Sequence, residues 1–371
     1  MIVEAIGGVA AVAALGIALE LAVRASLRRR QEWFVHQPHS RAEYMIATDV
    51  LPNVPERATF EANADGERGD AVPDDPEGTM RVLIAGGSAA ECYLLDQETA
   101  WPMVAQHSLS VSESRPVHVG NIARSLIPCR TINPLLARVL PHFRSLDVVV
   151  LMVGASDMVD WFEAKTPPEL DTAKVDVARY CAEHPQGPFG WTPKSTALYR
   201  LARRLHVRLK RPIDRRTNAG ASIAKHREMR ANARVMLDEV PDPRPMLDGF
   251  EHHLSALVRT CREHAQHVII ARQPWLDRTF TEAEAARLWN FGQGSPYRGA
   301  LDTYYTHRLV RELMGKVDAV AARVADAEGI PAIDLRAAVP SDFDHYYDFL
   351  HFTPRGAERV GEAVAACIRD L

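Results

Sequence analysis

The stretch that decides the fold is Arg81-Val82-Leu83-Ile84-Ala85-Gly86-Gly87-Ser88-Ala89-Ala90-Glu91. A short apolar run, too brief for a helix, meets two glycines and a serine, the pattern of a buried parallel strand closed by a turn. Ala89-Ala90-Glu91 then favours helix. Ser88 is therefore predicted at a strand-to-helix turn, on the carboxyl edge where open α/β sheets place their chemistry. Two readings of Ser88 stand side by side there. It caps the helix, or its hydroxyl is a nucleophile beside free N–H groups able to stabilise an anion.

Working outward, strand signals recur at Val117-His118-Val119, Leu146 to Val153, Val268-Ile269-Ile270 and Ile330 to Leu335. Helical patterns lie between them, at 131–143, 247–265, 300–328 and 353–369. Strands alternating with helices predict an α/β fold, a three-layer, doubly wound parallel sheet of flavodoxin-like type. This domain is expected over residues 80–371. It is interrupted at about 165–245 by a segment that turns strongly basic. There Leu198, Leu201, Leu205 and Leu209 form a stripe among Arg200, Arg203, Arg204, Arg208, Lys210 and Arg211. A basic amphipathic helix over 198–216 either lies on an anionic membrane surface or covers part of the domain as a solvated helix.

Ahead of the domain, Ala5 to Leu19 is an uninterrupted run of apolar and small residues. Extended to Val23 it approaches the ~20 residues of a membrane span. Only Glu4 stands where a cleavable signal would carry basic residues, whereas Arg24, Arg28, Arg29 and Arg30 follow the run. Residues 1–30 are read as a single-pass anchor in the cell membrane, with a cleaved signal or an amphipathic helix as alternatives. The arginine cluster favours the cytoplasmic side for the domain. Residues 31–79 are expected to be a tether and lead-in, with an acidic, turn-rich second half. A net charge of −4 makes no case for a nucleic-acid partner. The five cysteines (Cys92, Cys129, Cys181, Cys261, Cys367) are scattered, without a CxxC pair or zinc spacing. No phosphate loop, dinucleotide fingerprint or metal-ligand cluster is present in the sequence, so neither cofactor nor metal is expected.

Further chemistry-bearing residues fall at strand ends. Asp348 and His351 are three apart, so one turn brings them together and the carboxylate can hold the imidazole by one nitrogen. Thr353 and Pro354 then start a helix. Val153-Gly154-Ala155-Ser156-Asp157 follows the most apolar strand, and Val119-Gly120-Asn121-Ile122-Ala123 follows the second. All lie where a doubly wound sheet opens its crevice. Trp161-Phe162 and Gln273-Pro274-Trp275 follow strands too, either flanking the crevice or packing in the core.

In their order these blocks resemble the SGNH/GDSL hydrolase family. Gly86-Gly87-Ser88 resembles its first block, the glycine of its second block falls near Ala123 here, Gly154-Ala155-Ser156-Asp157 resembles its third, and Asp348 to His351 matches its Asp-x-x-His block. Asn63-Ala64-Asp65-Gly66-Glu67-Arg68-Gly69 is similar to a lead-in of membrane-tethered members. The resemblance implies Ser88 as nucleophile, His351 as general base and acid, and Asp348 as its orienting carboxylate. It implies an oxyanion hole from the N–H groups of Ser88 and Ala123 and the side chain of Ser156. A Gly-x-Ser-x-Gly elbow is missing at Ser88, unlike in ordinary α/β-hydrolases.

Ser156 stands where the family has Asn, a hydroxyl of shorter reach than an amide. Asn121 or Arg124 are candidates to supply the donor instead, and Asn121, Arg124, Asp157 and Trp275 are candidate substrate-binding residues. The implied activity is hydrolysis of an acyl ester, such as an acetyl ester, of a carbohydrate or lipid. The alternatives are an acyltransferase using the same serine, and a catalytically weak binding or scaffold protein of an envelope pathway.

Overall fold

The structure, a computed structural model, describes residues 2–29, 34–75, 78–143, 145–168, 175, 177–180, 190–209 and 215–371. Arg30, Cys181, Lys210 and Arg211, singled out above, lie outside the described residues.

The quoted stretch forms the first strand of a five-stranded sheet, β1 (Met80–Gly86), all of whose residues are buried. The other strands are β2 (Val117–Asn121), β3 (Leu146–Met152), β4 (Ala265–Arg272) and β5 (Ala332–Asp334). They pair in parallel in the spatial order β2-β1-β3-β4-β5. β3 is likewise buried along its whole length. That is why both read as unbroken apolar runs: a strand covered on both faces has no solvent side on which to alternate.

Helices Trp101–Ser112 and Pro354–Arg369 pack against each other in one layer. Helix Arg244–Arg262 packs against Cys129–Val139 and His307–Glu328 in the other. The architecture is the expected doubly wound α/β sheet. Its switch point lies between β1 and β3, whose successors run to opposite sides, so the segments after these two strands border the crevice.

The stretch expected as a tether departs from that expectation. Arg41–Met45 pairs antiparallel with Arg57–Glu61 and parallel with Arg215–Asn218, so lead-in and insertion share a three-stranded sheet. Val35, Ile46, Leu51, Val54 and Ala58 are buried in the main core. A further parallel pair, Val235–Leu237 with Thr303–Tyr305, ties the end of the insertion to the domain. Helix Ile2–Arg29 contains an apolar segment, Ala10–Leu27, long enough to cross a membrane. Length and composition of this kind also suit a signal sequence.

Candidate active site

Ser88 opens a single helical turn, Ser88–Glu91, that Cys92 ends in the left-handed conformation (φ 53°). Its Oγ lies 2.7 Å from Nε2 of His351. On the other side of the ring, His351 Nδ1 is 2.7 Å from Asp348 Oδ2 and 2.9 Å from Oδ1. Asp348 is fully buried, and its Oδ1 also accepts the backbone N–H groups of Leu350 and His351, both at 2.8 Å. Burial pushes this carboxyl up, but the facing His351 and the hydrogen bonds it accepts outweigh burial and hold it below its ordinary range. An ionised Asp348 fixes the tautomer with the proton on Nδ1, leaving Nε2 to accept from the serine.

Further residues steady this line. Asn290 Nδ2 lies 3.4 Å from Asp348 Oδ2. Tyr347 stacks on the His351 ring (5.5 Å, 9°), and Trp289 stacks on Tyr347 (6.4 Å, 8°), with the Arg227 guanidinium 5.3 Å above the Trp289 ring. Nothing in the sequence pointed to Asn290, Trp289 or Arg227, because they come from a loop and a helix that do not follow a strand of the main sheet.

Around Ser88 the expected anion donors separate. The Ser88 N–H donates no hydrogen bond among the described residues. Ser156 is the second residue of the helix Ala155–Glu163, and its Oγ sits over Gly87: a Cβ on Gly87 would come within 2.8 Å of it. Gly154, before that helix, has φ 116°, a conformation that only glycine adopts without strain. The Ser156 hydroxyl therefore faces the turn that carries Ser88.

Ala123 behaves differently, since its N–H donates to Asn121 Oδ1 at 2.9 Å. The Asn121 amide meanwhile donates to Ala90 O at 2.8 Å. Asn121 thus braces the turn that carries Ser88 from within, with both its amide nitrogen and its oxygen bonded to the backbone. Arg124 is engaged as well, with Nη1 3.1 Å from His36 Nδ1. The left-handed residue of this loop is Leu126 (φ 59°), a strained conformation of the kind that clusters at functional sites.

The remaining candidates make no hydrogen bond to Ser88 among the described residues. Asp157 Oδ1 accepts the Cys129 N–H at 2.9 Å, at the start of helix Cys129–Val139. Burial pushes this carboxyl up to about 7, against the pull of that hydrogen bond. Trp275 is 3% exposed and covered by Arg336, 4.2 Å above its ring, so it is a packing residue and offers no face to a substrate. Burial also pushes the Cys92 and Cys261 thiols up to about 12, which leaves neither as a thiolate at neutral pH.

The lead-in block completes the site's foundations. Glu67 is buried with its oxygens on His118 (3.0 Å), Asn63 (3.0 Å) and Arg81 (3.3 Å). Arg68 exchanges both backbone hydrogen bonds with Asn121 and sends its guanidinium to the carbonyls of Glu91, Cys92 and Leu95. The segment that follows Ser88 is thus clamped by a residue of the lead-in. No metal-binding group of side chains occurs among the described residues.

No protein-family model and no curated protein matches the chain. Among solved structures it is similar to Axe2, an acetylxylan esterase from Geobacillus stearothermophilus, at 12% identity over 78% of this chain and 94% of that one, with a TM-score of 0.43. It is also similar to LAE5, an α/β hydrolase from the metagenome of Lake Arreo, Spain (13% identity, 78% and 94% covered, TM-score 0.42). A lipolytic protein of the G-D-S-L family from Desulfitobacterium hafniense DCB-2 is similar at 12% identity, with 78% and 99% covered and a TM-score of 0.39. At these values the likenesses carry no argument about activity, which rests on the geometry of the site.

Proposed function

We propose that the protein is a serine esterase of SGNH type that cleaves an acyl ester through an acyl-enzyme on Ser88. The observation that carries this reading is the unbroken line from Ser88 Oγ through His351 to the buried Asp348. Ser88 attacks the ester carbonyl as His351 Nε2 takes its proton. The same nitrogen returns that proton to the leaving alcohol. Water, deprotonated by His351, then releases the acid and restores the serine. The Ser88 N–H and the Ser156 hydroxyl are the donors for the developing oxyanion. Such groups act on charge that exists only along the reaction path, which is where they are worth most. A small acyl group on a carbohydrate or lipid, such as acetyl, is the substrate class that the family resemblance implies.

The decisive experiment is labelling of the purified full chain with a fluorophosphonate probe, beside Ser88→Ala and His351→Ala, together with release of acid from short-chain and long-chain model esters. Labelling lost in both variants supports the reading. A folded wild-type chain that takes no label overturns it. Transfer to an added sugar hydroxyl in place of hydrolysis would make the same serine that of an acyltransferase.

We also infer that helix Ile2–Arg29 anchors the chain in the cell membrane as a single span, with the domain on the side of Arg24. The charge rule assigns that side to the cytoplasm. Protection of a C-terminal tag from protease in intact cells is the expected result, and cleavage there would reverse the orientation.

A further inference from the structure

The N-terminal helix is not attached to the domain by its end alone. Glu20 is 3% exposed, although Leu19 and Leu21 on either side are about half exposed. Its Oε1 accepts the N–H of Ala197 at 2.7 Å and its Oε2 that of Leu198 at 2.9 Å, so one carboxylate caps the start of helix Ala197–Leu209 from another element. A carboxylate at that position also meets the positive end of the helix dipole. Arg24, one turn further along, donates to Glu20 Oε1 (2.6 Å) and to Gly190 O (2.5 Å), and its guanidinium lies 4.4 Å over the Trp191 ring.

The place of this contact matters. The apolar run Ala5–Leu19 stops one residue before Glu20, and Val12, Leu15 and Ile17 within it are exposed. Glu20 and Arg24 lie inside the apolar window Ala10–Leu27, but they are its first charges and are held by the domain, so the proposal sets the hydrocarbon boundary at Leu19. Trp191, beneath the Arg24 guanidinium, and Tyr199 and Leu205 of the capped helix are all exposed, on a segment otherwise rich in arginine. Exposed tryptophan and tyrosine suit the membrane–water boundary, and basic amphipathic helices bind anionic lipid.

We propose that helix Ala197–Leu209 with Trp191 lies on the anionic bilayer surface from which the N-terminal helix emerges, and that Glu20 is the latch that fixes the two helices to each other. This rests on the anchoring reading above and is independent of the esterase chemistry. It also bears on the fate of the N-terminal helix. Removing that helix as a signal would strip the cap from Ala197 and Leu198, so the proposal requires the chain that retains it.

The test uses the full chain reconstituted in vesicles of phosphatidylcholine, with or without phosphatidylglycerol, and lipid brominated near the headgroup. Trp191 emission is obtained as the difference between wild type and Trp191→Phe. It should be quenched in wild type, more so with phosphatidylglycerol, and the quenching should be lost in Glu20→Ala. Glu20→Gln, which keeps the shape, should lose it in part, and both variants should remain membrane-bound after alkaline carbonate. Quenching that is indifferent to Glu20 or to anionic lipid overturns the proposal, as does an unquenched Trp191 in a membrane-bound wild type. Release of wild type by carbonate would overturn the span itself, while hydrolysis of a soluble ester by Ser88 would be unaffected by any of these results.

Discussion

A methyl group at position 87 would meet the Ser156 hydroxyl, so Gly87 and Ser156 act as one unit: the glycine leaves the space that the short side chain fills. Gly87→Ala should therefore lower kcat while the fold survives. Ser156→Ala should cost about 10²-fold in kcat with little change in KM, the usual price of one oxyanion donor. Steady-state kinetics on a model ester reads both. Asp348→Asn should lose about 10⁴-fold, because the amide favours the wrong tautomer of His351. Asp157 makes a different prediction, about stability. Its carboxyl, raised to about 7 by burial, holds its proton more tightly in the native state than in the unfolded chain. Its contribution is complete below the ordinary value of 3.8 and is lost as pH rises to about 7. The melting temperature of wild type should therefore fall more between pH 5 and pH 8 than that of Asp157→Asn. At this scale the sequence was legible for Ser88, Asp348 and His351 and silent on one ambiguity. Asp342 and His345 have the same spacing and are also 2.7 Å apart, yet the Asp342 side chain is 43% exposed. Spacing brings each pair together, but only the Asp348 pair is buried and reaches a serine.

The elements divide by how their burial arises. β1 and β3 could be read because every residue in them is covered, which leaves a mark in the local sequence. The lead-in could not, because its strand Arg41–Met45 has one of its two partners, Arg215–Asn218, far along the chain and its key residues are charged. Arg68 is buried with main-chain carbonyls as its chief partners, and it fixes the segment after Ser88. Arg68→Ala would leave several carbonyls unpaired and should cost about 3 kcal/mol or more in urea unfolding. Ser88 labelling should weaken in parallel, since the turn that carries it loses its clamp. A chain started at residue 80 would lack this clamp and two strands, and it should be insoluble or inactive when expressed. That the Ala123 N–H is already engaged was hidden for a related reason. A motif reports where a backbone N–H lies, whereas the Asn121 side chain that occupies it is set by the tertiary fold.

For the molecule as a whole, the site is assembled from parts that synthesis delivers at different times. Ser88 and His351 stand 263 residues apart in the chain. At ribosomal rates of roughly 5–20 residues per second, the serine emerges about 13–50 s before its base. During that interval β1 has a serine but no histidine, and the hydroxyl is as unreactive as that of any alcohol. The N-terminal helix, by contrast, is among the first parts to leave the ribosome. On the proposed anchoring and esterase chemistry, the chain would reach its membrane while chemically silent and gain its reactivity only when the last helix docks beside Trp101–Ser112.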